Sequence, residues 1–110
     1  MNVNQLIKTS LAPLNIPMAA DASEEASEYI TFNYADERPV MHADDVDVFD
    51  STIVQVHHFT KGNPQATKKA IRRYLRAGGF TILSTNEFYE DDTGLNHVVV
   101  EAAILGEIDD

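Results

Sequence analysis

No cysteine occurs among the 110 residues. That excludes a disulfide framework, a thiolate zinc site and a cysteine nucleophile, and it is compatible with a reducing compartment. Long apolar runs are missing too. No window approaches the roughly 18 consecutive apolar residues of a membrane-spanning helix, and the longest apolar stretches read as buried strands. Near the start, Asn4, Gln5, Lys8, Pro13, Asn15 and Pro17 interrupt any run that would pass for a signal peptide. A cytoplasmic protein without membrane contact is the expectation. Basic residues are few, 8 Lys and Arg against 18 Asp and Glu, for a formal net charge of -10. Such a body repels nucleic acid and anionic membrane alike.

Catalytic signatures are also lacking. There is no P-loop, dinucleotide fingerprint, serine nucleophile elbow or pair of carboxylates spaced for hydrolysis. Ala77, Gly78, Gly79 and Phe80 read as a helix exit, not a phosphate cradle. The chain reads as a non-enzyme that needs no cofactor.

What the chain does have is material for one core. It is 44% hydrophobic, with five Phe and four Tyr, enough apolar surface to offset the entropy of ordering a chain of this length. Residues 1–110 are therefore read as a single domain.

Val3, Leu6, Ile7 and Leu11 recur at helical spacing until Pro13 stops them, so the first element is a short amphipathic helix. Pro17 to Glu28 is small and acidic without periodicity and reads as an exposed connection. From Tyr29 to Tyr34, alternation of Ile30, Phe32 and Tyr34 with Tyr29, Thr31 and Asn33 marks a strand. Ala35 to Asp50 carries Asp36, Glu37, Asp44, Asp45, Asp47 and Asp50 around Pro39 and reads as a long hairpin loop, with or without a short strand of its own. Thr52 to Phe59 resumes strand character. A helix follows from Asn63, a third strand runs from about Phe80 toward Tyr89, and Asp91 to Gly94 supplies a turn. Asn96 to Leu105 is the most apolar strand, and Glu107 to Asp110 is an acidic tail. The order αββαββ predicts an α+β fold, a mainly antiparallel four-stranded sheet with two helices on one face.

The helix after Asn63 is distinctive. Asn63 and Pro64 have the chemistry of a helix start, an Asn N-cap with proline in the first position, and Gly78 with Gly79 that of an exit. Between them lie Lys68, Lys69, Arg72, Arg73 and Arg76, five of the eight basic residues, in a nine-residue segment free of acids. The rest of the chain holds three basic residues against eighteen acidic ones, a net -15 opposed to +5. At about 100° per residue the five cations fall within an arc of roughly 140°. Such an arc is either a solvated face, favourable toward a helix C-terminus, or a docking surface for something acidic.

The histidines and aspartates do not form a metal site by spacing. His57 and His58 are neighbours on a strand and point to opposite faces, and nothing in the sequence brings His42 or His97 to either. Asp44, Asp45, Asp47 and Asp50 lack the glycine placement and terminal Glu of a calcium loop.

Several segments together resemble the small tail-terminator, or tail-completion, proteins of long-tailed bacteriophages. These are the early helix, Tyr29 to Phe32, Val54 to Val56 leading into Lys61, Gly62 and Asn63, the helix closing at Ala77, Gly78 and Phe80, and Glu87, Tyr89, Asp91, Asp92 and His97 before the last strand. The likeness spans about Gln5 to Ala103. It implies a structural protein that forms a hexameric ring on the tail tube, stops its growth and joins it to the head connector. The implied partners are sister subunits, the tail-tube protein and a head-completion protein, with DNA passing through unbound. The implied location is the host cytoplasm during assembly and then the neck of the virion. The resemblance brings no catalytic residues and does not mark the interface, so Lys68, Lys69, Arg72, Arg73 and Arg76 are interface candidates on charge alone. It also leaves the acidic stretch Met41 to Asp50 unexplained. Two other classes fit the same elements: a nucleic-acid-binding module using the basic helix, and a ferredoxin-like ligand-binding or regulatory domain.

Overall fold

The computed structural model describes residues 2–20, 27–40 and 49–106, with side chains at 2–18, 27–34 and 51–106. Helix α1 (Val3–Leu11) begins where the Asn2 side-chain oxygen accepts the Gln5 N–H at 2.9 Å. It passes into a 3-10 turn, Ala12–Leu14, which ends at Asn15 in the left-handed conformation that asparagine tolerates. Strands β1 (Met18–Ala20), β2 (Glu28–Val40) and β3 (Phe49–Thr60) follow, then α2 (Gln65–Ala77), β4 (Thr81–Glu90) and β5 (Leu95–Gly106). The sheet order is β1-β2-β3-β5-β4. β2, β3, β5 and β4 are joined antiparallel, and only the three residues of β1 run parallel, against Ile30–Phe32. This is the expected α+β arrangement, with a short parallel strand added at one edge.

The core lies between the sheet and both helices, because alternate strand residues share one face. Phe32 is in register with Val56, and Val56 with Val100; Val54 is in register with Ala102. Val3, Ile7 and Leu11 of α1 and Ile71 and Leu75 of α2 close over these rows, all fully buried. Each such side chain contributes about 1.5–3 kcal/mol. A smaller cluster, Tyr29, Phe59 and Leu95, occupies the other face.

Three local expectations need correction. The Pro17 to Glu28 stretch is not wholly a connection: Met18–Ala20 form β1, and Ile30 N–H donates to the Pro17 carbonyl at 2.8 Å. Of the stretch expected as a hairpin loop from Ala35 to Asp50, residues 35–40 and 49–50 are strand: β2 runs on to Val40 and β3 starts at Phe49, with a register shift between Tyr34 and Asp36. Charge suggested a loop, but the backbone pairing of β2 with β3 continues through these charged residues. Residues 21–26, 41–48 and 107–110 lie outside the described set. Finally, α2 starts at Gln65 with Pro64 as N-cap, one residue later than expected, although the Asn63 side chain still accepts the Gln65 N–H at 2.9 Å.

Candidate assembly interface

The position of α2 decides where its cations point. One flank faces α1, where Gly78 lies so close to Ser10 that a side chain at Gly78 would strike the Ser10 hydroxyl. Ile71 and Leu75 face the sheet. The remaining flank turns toward β4, the sheet edge, where the Lys68 ammonium lies 2.9 Å from a Glu87 carboxylate oxygen. The Gln65 amide donates to the other Glu87 oxygen at 2.7 Å. Hydrogen bonding from Lys68, reinforced by that of Gln65 and by the ammonium's charge, pulls the Glu87 carboxyl below its ordinary value although burial works against it.

The predicted basic arc is therefore not homogeneous. No acid lies within its sequence, but Glu87 reaches it from β4, and Lys68 is used internally. Beyond it, Lys69, Arg72 and Arg76 line a hollow of about 140 Å³. The Arg72 Nε is buried without a hydrogen-bond partner. Leaving a buried donor unpaired costs about 1–3 kcal/mol, and an incoming carboxylate would satisfy a guanidinium with two parallel bonds. Arg73 turns the other way, its guanidinium 5.2 Å from the centre of the Tyr74 ring, within cation–π range. Of the five candidates, the structure brings Lys69, Arg72 and Arg76 together and sets Lys68 and Arg73 apart.

The edge strand β4 exposes both polar and apolar side chains. Leu83, Phe88 and Tyr89, all on β4, are 47%, 55% and 62% exposed, and with Tyr34 and Leu105 they make up the exposed large hydrophobics among the described residues. An edge strand also presents unpaired backbone donors and acceptors. No sequence signal marked β4 as an edge, because strand order is not written in the local pattern.

The sequence also gave no sign that His57 and His97 meet. Neighbouring register on β3 and β5 puts His57 Nδ1 2.8 Å from His97 Nε2. Phe59 stacks between Tyr29 and His97, at ring-centre distances of 4.5 and 4.1 Å. Burial lowers the His57 pKa, and the charge His97 would carry lowers it further. Burial also lowers that of His97, partly opposed by the Glu90 carboxylate 3.5 Å from its Nδ1. That carboxylate favours a proton on His97 Nδ1, leaving Nε2 to accept from His57. His58, on the other face, is fully buried, with Nε2 2.8 Å from Glu28. Among the described residues no three His, Asp or Glu side chains converge as a metal site. No helix among them is long and apolar enough to cross a membrane.

The described residues thus define a small α+β fold with a cationic hollow on α2 and an edge strand that exposes Leu83, Phe88 and Tyr89. No family model matches the chain. No curated protein matches it either. Among solved structures, its fold is similar to that of a chain in the "Virion of native gene transfer agent (GTA) particle", with a TM-score of 0.57 and 14% sequence identity over 96% of this chain and 92% of that one. At that identity the likeness is one of fold.

Proposed function

We propose that this chain is a structural virion protein of a tailed, phage-like particle, which caps the tail tube as a hexameric ring and joins it to the head connector. The observation that carries this reading is the fold shared, over nearly the whole of both chains, with a component of a gene transfer agent virion. The resemblance of Tyr29 to Phe32, Lys61 to Asn63 and Glu87 to His97 to tail-terminator proteins narrows it to the tail end. The protein acts by contact, without catalysis or cofactor. Its partners are copies of itself, the tube protein and a head-completion protein, and DNA passes through without specific binding. It assembles in the host cytoplasm and ends in the virion neck.

The surface supports such a role. A subunit with cations gathered on one flank and carboxylates elsewhere is suited to head-to-tail contact, and head-to-tail contacts close into rings when the rotation permits. The test is to add the purified protein to polymerising tail-tube protein and image the products. The reading expects shorter tubes ending in a ring of six subunits. Tubes that grow unchanged, with the protein left free and monomeric, contradict it.

A further inference from the structure

Two groups of opposite charge are left over once the pairs within the subunit are made. Of the described carboxylates, Glu28 is taken by His58, Glu87 by Lys68 and Gln65, Glu90 by Thr93, and Glu101 by Gln55. Those of Asp91 and Asp92 have no partner among the described residues, and both side chains are exposed. They stand on the turn between β4 and β5, where the Gly94 N–H donates to the Glu90 carbonyl at 2.8 Å and the Thr93 hydroxyl to the Glu90 carboxylate at 3.0 Å. On the cationic side, Glu87 engages Lys68 and Tyr74 engages Arg73, which leaves Lys69, Arg72 and Arg76 gathered around their hollow. We infer that the turn carrying Asp91 and Asp92 on one copy docks into the Lys69, Arg72 and Arg76 hollow of a second copy, joining subunits head to tail.

The two groups do not meet within one subunit. Lys68 sits beside Glu87, and α2 hands over to Thr81 through residues 78–80, so α2 and β4 run in opposite directions. Arg72 and Arg76 therefore lie toward the Thr81 end of β4, and Asp91 and Asp92 beyond its Glu90 end. From Lys68 to Arg72 the helix rises about 6 Å, and from Glu87 to Asp91 the strand rises about 13 Å the other way, a separation of roughly 20 Å that neither side chain spans. Between copies the contact is heterologous, because turn and hollow are different surfaces, so it propagates rather than stopping at a dimer. A turn tied in this way loses little freedom on docking. Arg72, whose Nε is buried without a partner, gains the acceptor it lacks. Phe88 and Tyr89, exposed just before the turn, add apolar area to the join. A nucleic acid fits less well, since Lys68 and Arg73 are drawn out of the row of cations that a chain of phosphates would follow.

This inference rests on the ring reading, and the test separates the two. Three full-length variants are brought onto tail tubes and weighed beside wild type, with melting curves to show that each folds: Asp91→Lys with Asp92→Lys, Lys69→Glu with Arg76→Glu, and all four changes together. Every altered position is exposed. Each pair of reversals alone is expected to lose the ring, and the combined variant, with the signs exchanged, to regain it. A check independent of charge uses the absence of native cysteine. Protein with Lys69→Cys and Asp92→Cys, assembled and then oxidised, should give a ladder of covalent multimers ending at the subunit number of the ring, while single-cysteine controls stop at dimers. If the aspartate pair assembles like wild type, if the combined variant folds without regaining the ring, or if the assembled cysteine variant gives no ladder, the docking is overturned and the ring stands. If wild type itself does not assemble, both fall.

Discussion

The Lys68 ammonium stands 2.9 Å from the Glu87 carboxylate, tying α2 to the edge strand of the sheet. This pair removes one cation from the outward-facing set and fixes which way the others look. The neighbouring Lys69, Arg72 and Arg76 then share a hollow in which no carboxylate of the described residues takes part.

Because it is an exposed pair, Lys68→Ala is expected to lower the melting temperature by no more than a few degrees. It should leave assembly intact, since Lys68 is already engaged within the subunit. Thermal melting and mass determination at matched concentration check both halves. A Lys68→Ala protein that folds normally yet fails to assemble would move the interface to this flank of α2.

Gly78 has an ordinary φ of -80°, so its need for glycine is steric. A methyl group there runs into the Ser10 hydroxyl of α1. The atom struck is the end of a side chain that can turn, so Gly78→Ala is expected to destabilise the protein by about 1 kcal/mol, the low end of the range for overpacking. Adding Ser10→Ala, which removes the hydroxyl without placing a glycine in α1, should restore much of the loss. Denaturant unfolding of wild type and the two variants measures this, and an unchanged Gly78→Ala protein would mean that the Ser10 hydroxyl turns aside at no cost.

His57 and His97 are both held below the ordinary value of 6.5 in the folded chain, chiefly by burial. The unfolded chain therefore binds more protons between those lowered values and 6.5, and folding stability falls as pH drops through that window. Above about pH 6.5 the contribution is fully present. Melting between pH 7.5 and about 5.5, before the carboxylates titrate, should show a decline that His57→Gln with His97→Gln reduces. A wild-type protein that gains stability on acidification over that range would contradict the assignment.

The elements were legible where local pattern carries them. Val3, Ile7 and Leu11 gave α1 by spacing, Gly78 and Gly79 closed α2, and the alternation from Tyr29 to Tyr34 gave the middle of a strand. What failed was long-range. The extension of β2 to Val40 depends on pairing with β3, and β1 exists because Met18–Ala20 find Ile30–Phe32. Neither pairing is visible in a charged or small-residue stretch. For the site, helical periodicity put the five cations on one arc, yet only the tertiary fold shows Glu87 capturing Lys68 and Tyr74 holding Arg73. Likewise His57 and His97, forty residues apart, meet only through the register of β3 and β5.

Double-stranded DNA is expected to bind weakly near physiological salt and without sequence preference, because a net charge of -10 opposes approach to the basic flank. Fluorescence anisotropy with duplex DNA checks this. Submicromolar affinity at that salt would favour the nucleic-acid-binding reading of α2 over the assembly reading.

The central claim is that the hollow formed by Lys69, Arg72 and Arg76 is a contact surface between protein subunits. Lys69 and Arg76 are the exposed members of the hollow, so reversing both to Glu should cost the monomer about 1 kcal/mol or less. At an interface, each reversal turns an attraction into a like-charge contact that can cost several kcal/mol. The deciding measurement is the mass of wild type and Lys69→Glu, Arg76→Glu protein at matched concentration, alone and with tail-tube protein, alongside their melting curves. The account predicts a double variant that melts close to wild type and does not assemble. A variant that melts like wild type and assembles equally well would reduce the hollow to a solvated surface and contradict the claim.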